Sequence, residues 1–440
     1  MDEHTWAALG AAVDNFRPER SLETQDDFAR FYVQRPLAAI AELGEQVRVA
    51  SEQAKFLVYG HRGCGKTSEL NRLAQELSDR HFTVVLSLEA ENDLGDLHYT
   101  ELLTALCRRL LYEAAGQELD VDPKLLDDVL GWFAEVEEIS EERRSAEVGS
   151  AQKLSAFFVE LFGQQKAEFS RRQERRVRRQ QREGELLSLI NRLAEEVQAA
   201  DQRKRQAETS RSGSRERVLP RELFAVVDSL DRCTLEKVKE IFRYTEALQA
   251  PRMKTIYTVP LAFSRDPQFV DVTRDFGDYR CTIPVLTLFA LDGSRHEPSW
   301  EVARAIIAKR SAGVPIPSEV EELLIASSGG VLSILFNLCY NACVLARTRG
   351  ASGITMEIAQ RVRQDAQNRY YERLREEDYQ TLGQHFPSRM PRIDDRFLML
   401  LYTTCLLQHS TNGVPWYDLH PLVRELVDEW RVAREGEPTP

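Results

Sequence analysis

Short apolar runs alternating with amphipathic stretches organise the first part of the chain. Phe56-Leu57-Val58-Tyr59 is an apolar run of the kind that forms a buried strand, and a glycine-rich turn ends it. Leu70, Leu73, Ala74 and Leu77 then recur at the spacing of one helix face. Residues 82–88 predict a second strand and 100–115 a second helix, so the pattern is that of an α/β domain with a largely parallel sheet. From about 116 to 220 the strand signal disappears. Helical patterns rich in Glu, Gln and Arg take over, with a polar, basic loop expected at 209–217. The sheet pattern resumes at 223–227, followed by a helix over 235–248 and strands near 255–259 and 280–284. The intervening stretch therefore reads as a helical insertion.

Beyond residue 291 the periodicity is helical throughout. Ser318 with Glu321 has the spacing of a capping box, and Thr355 is placed to cap a later helix. Near the C-terminus, 406–410 and 414–419 flank Thr411-Asn412-Gly413, and Asn-Gly between strand-like runs signals a hairpin. Helices on both sides of it predict a winged-helix unit. The expected organisation is an N-terminal helical segment (1–50, punctuated by Pro18 and Pro36), a three-layer α/β core (51–290, insertion at about 116–220), a helical unit (291–384) and a winged-helix-like domain (385–440).

Composition narrows the function classes. The chain has 440 residues, 42% hydrophobic and 29% charged, which suits a globular protein of several domains. Its formal net charge of −12 means that any nucleic-acid contact must come from a local basic patch. Residues 171–182 hold seven arginines against one glutamate. That run suits either a phosphate backbone or a solvated helix face or coiled-coil arm, and it lacks interleaved aromatics. Seven scattered cysteines without a Cys-x-x-Cys pair, and an N-terminus without a signal-peptide pattern, point to a reducing cytoplasm. The uncharged stretch 323–346 is interrupted by Ser327-Ser328-Gly329-Gly330 and carries Asn337 and Asn341, so it predicts a buried helix from about Val331 and no membrane span.

Gly60-His61-Arg62-Gly63-Cys64-Gly65-Lys66-Thr67 has the full spacing of a phosphate-binding loop, set between a strand and an amphipathic helix that continues with Ser68. Glycines let successive backbone N–H groups turn inward on phosphate oxygens, and the helix adds its positive end. Lys66 would reach the β- and γ-phosphates of ATP, and the Thr67 hydroxyl would ligate Mg²⁺. Such a loop needs a second acid at the end of a neighbouring buried strand, and Asp228, directly after Phe224-Ala225-Val226-Val227, is placed for it.

Asp228-Ser229-Leu230-Asp231-Arg232-Cys233 resembles the second signature of the KAP and STAND branches of P-loop NTPases. The layout of core, helical region and winged helix resembles AAA+ ATPases of the origin-recognition type. This resemblance implies ATP and Mg²⁺ as ligands, an extra strand between the two motif strands, and the helical unit as a lid. It also implies a γ-phosphate sensor at Thr258 and an arginine finger at Arg274, which would act only in a homo-oligomer. Departures accompany it. Ser229 stands where AAA+ proteins carry a glutamate that activates water, leaving Asp231 as either that base or a cap of the next helix. After Gly329-Gly330, Val331, Leu332 and Ser333 stand where a lid arginine is expected.

The expected function is a nucleotide-driven conformational or oligomeric switch with slow ATP hydrolysis, which the resemblance connects with signalling or anti-phage defence. The segment Trp416-Tyr417-Asp418 is aromatic and acidic, which favours a protein partner. The rival is a DNA-acting AAA+ loader or transposition helper using the basic insertion and the wing; a small-molecule kinase is a further alternative. Lys66→Ala is expected to weaken nucleotide binding at least about tenfold, as one charge-assisted contact is lost. Unchanged affinity in a calorimetric titration would remove the nucleotide reading altogether.

Overall fold

The computed structural model of the chain describes residues 3–35, 37–91, 94–137, 169–212, 217–276, 279–411 and 413–435. Pro36, Asn412, residues 213–216 of the expected loop and 138–168 of the expected insertion lie outside them. Five strands, β1 (Lys55–Gly60), β2 (His81–Ser87), β3 (Glu222–Asp228), β4 (Lys254–Pro260) and β5 (Arg280–Thr282), run parallel in the order β2-β3-β4-β1-β5. The strand implied between the two motif strands is thus β4.

Both faces of this sheet are covered, which is why its strands read as unbroken apolar runs. Phe56, Val58, Phe224, Val226 and Ile256 share one core cluster with the helices Ala38–Val49 and Lys66–Leu77. Leu57, Tyr59, Leu223, Ala225 and Val227 belong to another, with the helices Tyr99–Gly116, Pro123–Glu137 and Glu183–Arg211. The result is a three-layer α/β core.

The insertion is part of that core. Leu186, Leu189, Ile190, Leu193 and Val197 are buried along the helix Glu183–Arg211. This helix runs through Arg211, so the expected loop begins later than residue 209. The arginine run falls on the helix Phe169–Gln181 and just beyond it. Arg176 pairs with Asp96 at 3.0 Å, Arg179 with Glu101 at 3.1 Å and Arg182 with Glu135 at 2.6 Å. These three arginines are tied by carboxylates to neighbouring segments and are not a free basic tract.

Three further expectations change. The helix expected over 235–248 is broken into Leu235–Phe242 and Thr245–Gln249, because Tyr244 leaves helical geometry and stacks on Tyr99 with ring centroids 3.9 Å apart. Ser318 does not form a capping box. Pro317 occupies the cap, Ser318 is already helical, and Glu321 faces Arg304 at 3.9 Å. Thr355 does cap its helix, accepting from the Ile358 amide.

The helices Glu297–Arg310, Ser318–Ser327, Leu332–Arg349 and Met356–Tyr371 build a separate core, the lid, and Leu9 and Ala12 of the first helix (Glu3–Asn15), with Phe16 just after it, are buried within it. Among the described residues no helix is long and apolar enough to cross a membrane. The C-terminal unit consists of the helix Asp395–Tyr402, an antiparallel hairpin of β6 (Leu406–Thr411) and β7 (Val414–Leu419), and the helix Pro421–Glu435. Leu406 and Tyr417 of this unit join one sheet-face cluster, Leu407 the other, and Leu422 the lid cluster. Trp416 and Tyr417 are 1% and 3% exposed, so the aromatic segment expected to meet a partner is packed inside the chain.

The lid is clasped to the core at Gly330, whose carbonyl accepts from the Leu286 amide at 3.0 Å. Its φ is +78°, and a Cβ there would lie 1.8 Å from the Leu286 carbonyl oxygen. Gly350 has a similar φ of +66° but open space around it. Gly330→Ala is expected to destabilise the protein by about 3 kcal/mol or more, combining backbone strain with overlap, and Gly350→Ala by only about 1 kcal/mol. Urea unfolding of the two variants measures the difference.

Candidate functional site

The strand ends converge on the loop between β1 and the helix Lys66–Leu77. Lys66 is buried, and its Nζ donates to the carbonyls of Gly60 at 3.0 Å and His61 at 2.8 Å while pairing with Asp231 Oδ2 at 2.8 Å. Burial works against its charge. Asp231, then Cys64 and Asp228, outweigh that penalty and hold the lysine pKa above its ordinary value. Thr67 Oγ1 donates to Asp228 Oδ2 at 2.6 Å. The other Asp228 oxygen, Oδ1, is buried without a hydrogen-bond partner. Burial, followed by the nearby Asp231 charge, raises the Asp228 pKa; Thr67, the Ser229 amide and the Thr258 hydroxyl pull the other way. Thr258 lies within β4, with its hydroxyl buried and short of a full hydrogen bond.

Lys66, Thr67, Asp228, Asp231 and Thr258 are therefore assembled in one place. Asp231 does not cap the following helix, since Thr234 does so by accepting from the Lys237 amide. Arg274 is not part of the assembly: it is exposed on the helix Val270–Asp275.

Lid and C-terminal unit both touch the loop itself. In place of a lid arginine, the Ser333 amide donates to the Gly63 carbonyl at 3.0 Å, and a Cβ on Gly63 would meet Ser333 Oγ at 1.8 Å. His61 is fully buried, and its Nε2 accepts from the Gln408 amide of β6 at 2.8 Å. Arg62 is exposed on the loop's outer side. Cys64 is buried, and Arg35 donates to its carbonyl at 2.9 Å. Ser68 accepts from the Leu22 amide at 3.1 Å. A cleft of about 120 Å³ opens beside Gly65 and Lys66, where Leu22, Phe31, Ile306 and Phe336 share the lining with charged residues that include Arg20, Arg35, Glu69 and Arg310.

The sequence profile of the KAP family P-loop domain matches residues 39–259. The chain belongs to the KAP family of P-loop NTPases. Among solved structures, this KAP-family chain is similar to a Walker-type ATPase of Pyrococcus abyssi, with 14% identity over 94% of this chain and 99% of that one, at a TM-score of 0.44. It is also similar to the ORC1 protein of Aeropyrum pernix, solved in complex with DNA (15% identity, 94% and 97% covered, TM-score 0.39). A third is the Holliday-junction branch-migration motor RuvB of Thermotoga maritima (11% identity, 97% and 100% covered, TM-score 0.38). A comparison with curated proteins finds no match.

Several contacts of this KAP-family site had no signal in the sequence. Arg35 and Glu69 form a buried ion pair at 3.0 Å under the loop, with Tyr32 donating to the same carboxylate at 3.1 Å. Such a pair fixes geometry more than it adds stability, because two buried charges lose their hydration. His61, His409 and His420 gather where core, lid and hairpin meet. His409 faces Thr287 Oγ1 at 3.3 Å, and His420 faces the Ser328 carbonyl at 3.2 Å. A charge pattern or a spacing rule reveals none of these, since the partners come from distant elements.

Burial pushes the His61 pKa down to about 3 and those of His409 and His420 to about 4. An unfolded histidine titrates near about 6.5, so below that pH the unfolded chain binds more protons than the folded one. The stability these neutral rings contribute is present above pH 6.5 and falls as pH drops towards their folded values, by at most about 1.4 kcal/mol per pH unit for each ring. Urea unfolding between pH 7 and pH 5 is expected to show this slope, made shallower by His61→Gln. An unaltered slope in that variant would contradict the assignment.

Proposed function

We propose that this chain is an ATP-driven conformational switch whose phosphate loop is the shared docking point of the lid and the C-terminal unit. The observation that carries this reading is a pair of hydrogen bonds on the loop, Ser333 amide to Gly63 carbonyl at 3.0 Å and Gln408 amide to the His61 side-chain Nε2 at 2.8 Å. A ligand shifts an equilibrium only as far as it binds the two states differently. A triphosphate competes for Lys66 and needs the space that Ser333 occupies over Gly63. It therefore favours a lid position other than the docked one, and through His61 the same loop bears on the hairpin. The base would lie against Leu22, Phe31, Ile306 and Phe336 in the cleft beside Gly65.

The Mg²⁺ expected with ATP fits the residues present. Thr67 and Asp228 offer hard oxygen donors, and Asp228 Oδ1 is a buried acceptor without a partner. Thr67 and Asp228 would hold the ion, which when bound supplies charge neutralisation at the phosphates. Lys66 turning to the phosphates leaves Asp231 free of its ion pair, and Asp231 then serves as the base that accepts a proton from the attacking water. Thr258 positions Asp228 and reads the γ-phosphate. Because the base is first sequestered by Lys66, hydrolysis is slow. Arg274, exposed and away from this site, contributes only across a homo-oligomer.

A role in signalling or anti-phage defence rests on the family resemblance, and its trigger would be a protein partner. The DNA-acting alternative draws less support. Arg176, Arg179 and Arg182 are engaged by carboxylates, and the hairpin turns its aromatic residues inward.

Hydrogen exchange tests the switch. Saturating ATP with Mg²⁺ is expected to speed exchange at the amides of Ser333 and Gln408 in the wild-type chain, with no change in Lys66→Ala. Unaltered exchange at both amides with nucleotide bound would refute the coupling. For the chemistry, Asp231→Asn is expected to lower the ATPase rate by about 10²-fold or more, the usual contribution of a positioned base, while nucleotide binding persists. A full rate in that variant would exclude Asp231 as the base.

A further inference from the structure

Four arginines converge on one cavity in a protein whose formal net charge is −12. The cavity holds about 700 Å³ and lies between the phosphate loop, the lid and the C-terminal unit. Arg62 comes from the loop, Arg232 from the turn after Asp231, and Arg369 and Arg373 from the end of the lid helix Met356–Tyr371 and just beyond it. Two carboxylates, Glu19 and Glu89, share the lining.

Among the described residues, one of the four arginines is neutralised by an ion pair. Arg232 pairs with Glu89. Arg369 donates to the side-chain oxygen of Asn337 at 2.9 Å, an uncharged partner. Among the described residues, Arg62 and Arg373 make no ion pair, in contrast to Arg176, Arg179 and Arg182 of the insertion, which pair with Asp96, Glu101 and Glu135. Arg62 and Arg232 are close enough for mutual repulsion to add to burial in lowering the Arg232 pKa. Clustered positive charge drawn from separate parts of an acidic chain is unfavourable unless an anion completes it. The rest of the lining is of another kind: Val331, Ile334, Ala366 and Leu422 are apolar, with Tyr370 beside them. The volume lies within the range of about 300–1,000 Å³ typical of small-molecule pockets.

We propose that this cavity, which adjoins the cleft beside Lys66 and shares Gly63, Arg232 and Ser333 with it but not Lys66 or Thr67, is a second ligand site, taking a small phosphorylated molecule with an apolar or aromatic body. Arg62, Arg369 and Arg373 grip the phosphate groups, and the apolar wall takes the body. Because loop, lid and C-terminal unit all line it, such a molecule binds best when the three are docked. It therefore opposes the opening that a triphosphate on Lys66 favours. Binding at the site does not require Lys66, which is outside its lining; only the opposition to opening rests on the switch reading, through Gly63 and Ser333 in that lining.

The test titrates inorganic tripolyphosphate into the full chain by calorimetry, without Mg²⁺, in a Lys66→Ala background that removes the phosphate-loop anchor. Binding is expected to persist there and to weaken about tenfold with each of Arg369→Ala and Arg373→Ala, the loss of one charge-assisted contact apiece. Both side chains are exposed, so thermal melting should show an intact fold, and Arg373→Lys should retain most of the affinity. Binding that disappears with Lys66→Ala alone, or that ignores both arginines, would overturn the proposal. A short DNA duplex binding with the same arginine dependence would overturn it too, by making the face a nucleic-acid contact. Neither result bears on the exchange of Ser333 and Gln408, so the two readings fail separately.

Discussion

A buried ammonium group must be paired, and the arrangement around Lys66 follows from that need. With its charge out of water, Lys66 takes two carbonyls of its own loop and the carboxylate of Asp231. This closes the loop on itself, ties the end of β3 to the end of β1, and keeps the second acid of the motif occupied. Any phosphate arriving at the loop must replace those partners. The energetics of the resting site and the first step of its use are therefore the same exchange of partners.

Around this centre the rest of the chain is arranged as contacts to one short loop. The lid reaches it by the Ser333 amide where a charged side chain was expected, and the hairpin reaches it through His61. An arginine would contact only a bound phosphate, whereas a backbone amide on Gly63 is made without one. The C-terminal unit is held more firmly than an appended module would be, since its residues enter all three core clusters. Its aromatic residues are consequently structural. Motion of the unit would require breaking apolar packing as well as the hydrogen bond from the Gln408 amide to His61.

The insertion illustrates how charge can mislead. Seven arginines in twelve residues resemble a nucleic-acid tract. Yet the partners of Arg176, Arg179 and Arg182, namely Asp96, Glu101 and Glu135, lie on segments 47 to 80 residues earlier in the chain. The cavity arginines are the reverse case. Arg62, Arg232, Arg369 and Arg373 are scattered and unremarkable in sequence, and become a patch only when folded.

What the chain encodes locally was legible without the fold. Strand, glycine turn and amphipathic helix around residues 56–77, the apolar run ending at Asp228, the cap at Thr355 and the hairpin about Gly413 all depend on neighbours a few residues away. Their backbone preferences and apolar spacing are written in those neighbours. Other features were settled by tertiary packing: the helix broken at Tyr244 by stacking on Tyr99, Asp231 turned to Lys66, the Arg35–Glu69 pair, and the hairpin seated on the phosphate loop. His61 and Gln408 are 347 residues apart, and neither their identities nor any spacing connects them. Only the packing of the C-terminal unit into the apolar clusters on the two sheet faces and in the lid brings the two together, and so the sequence by itself determined the nucleotide motif, while the packed structure decided what that motif is joined to.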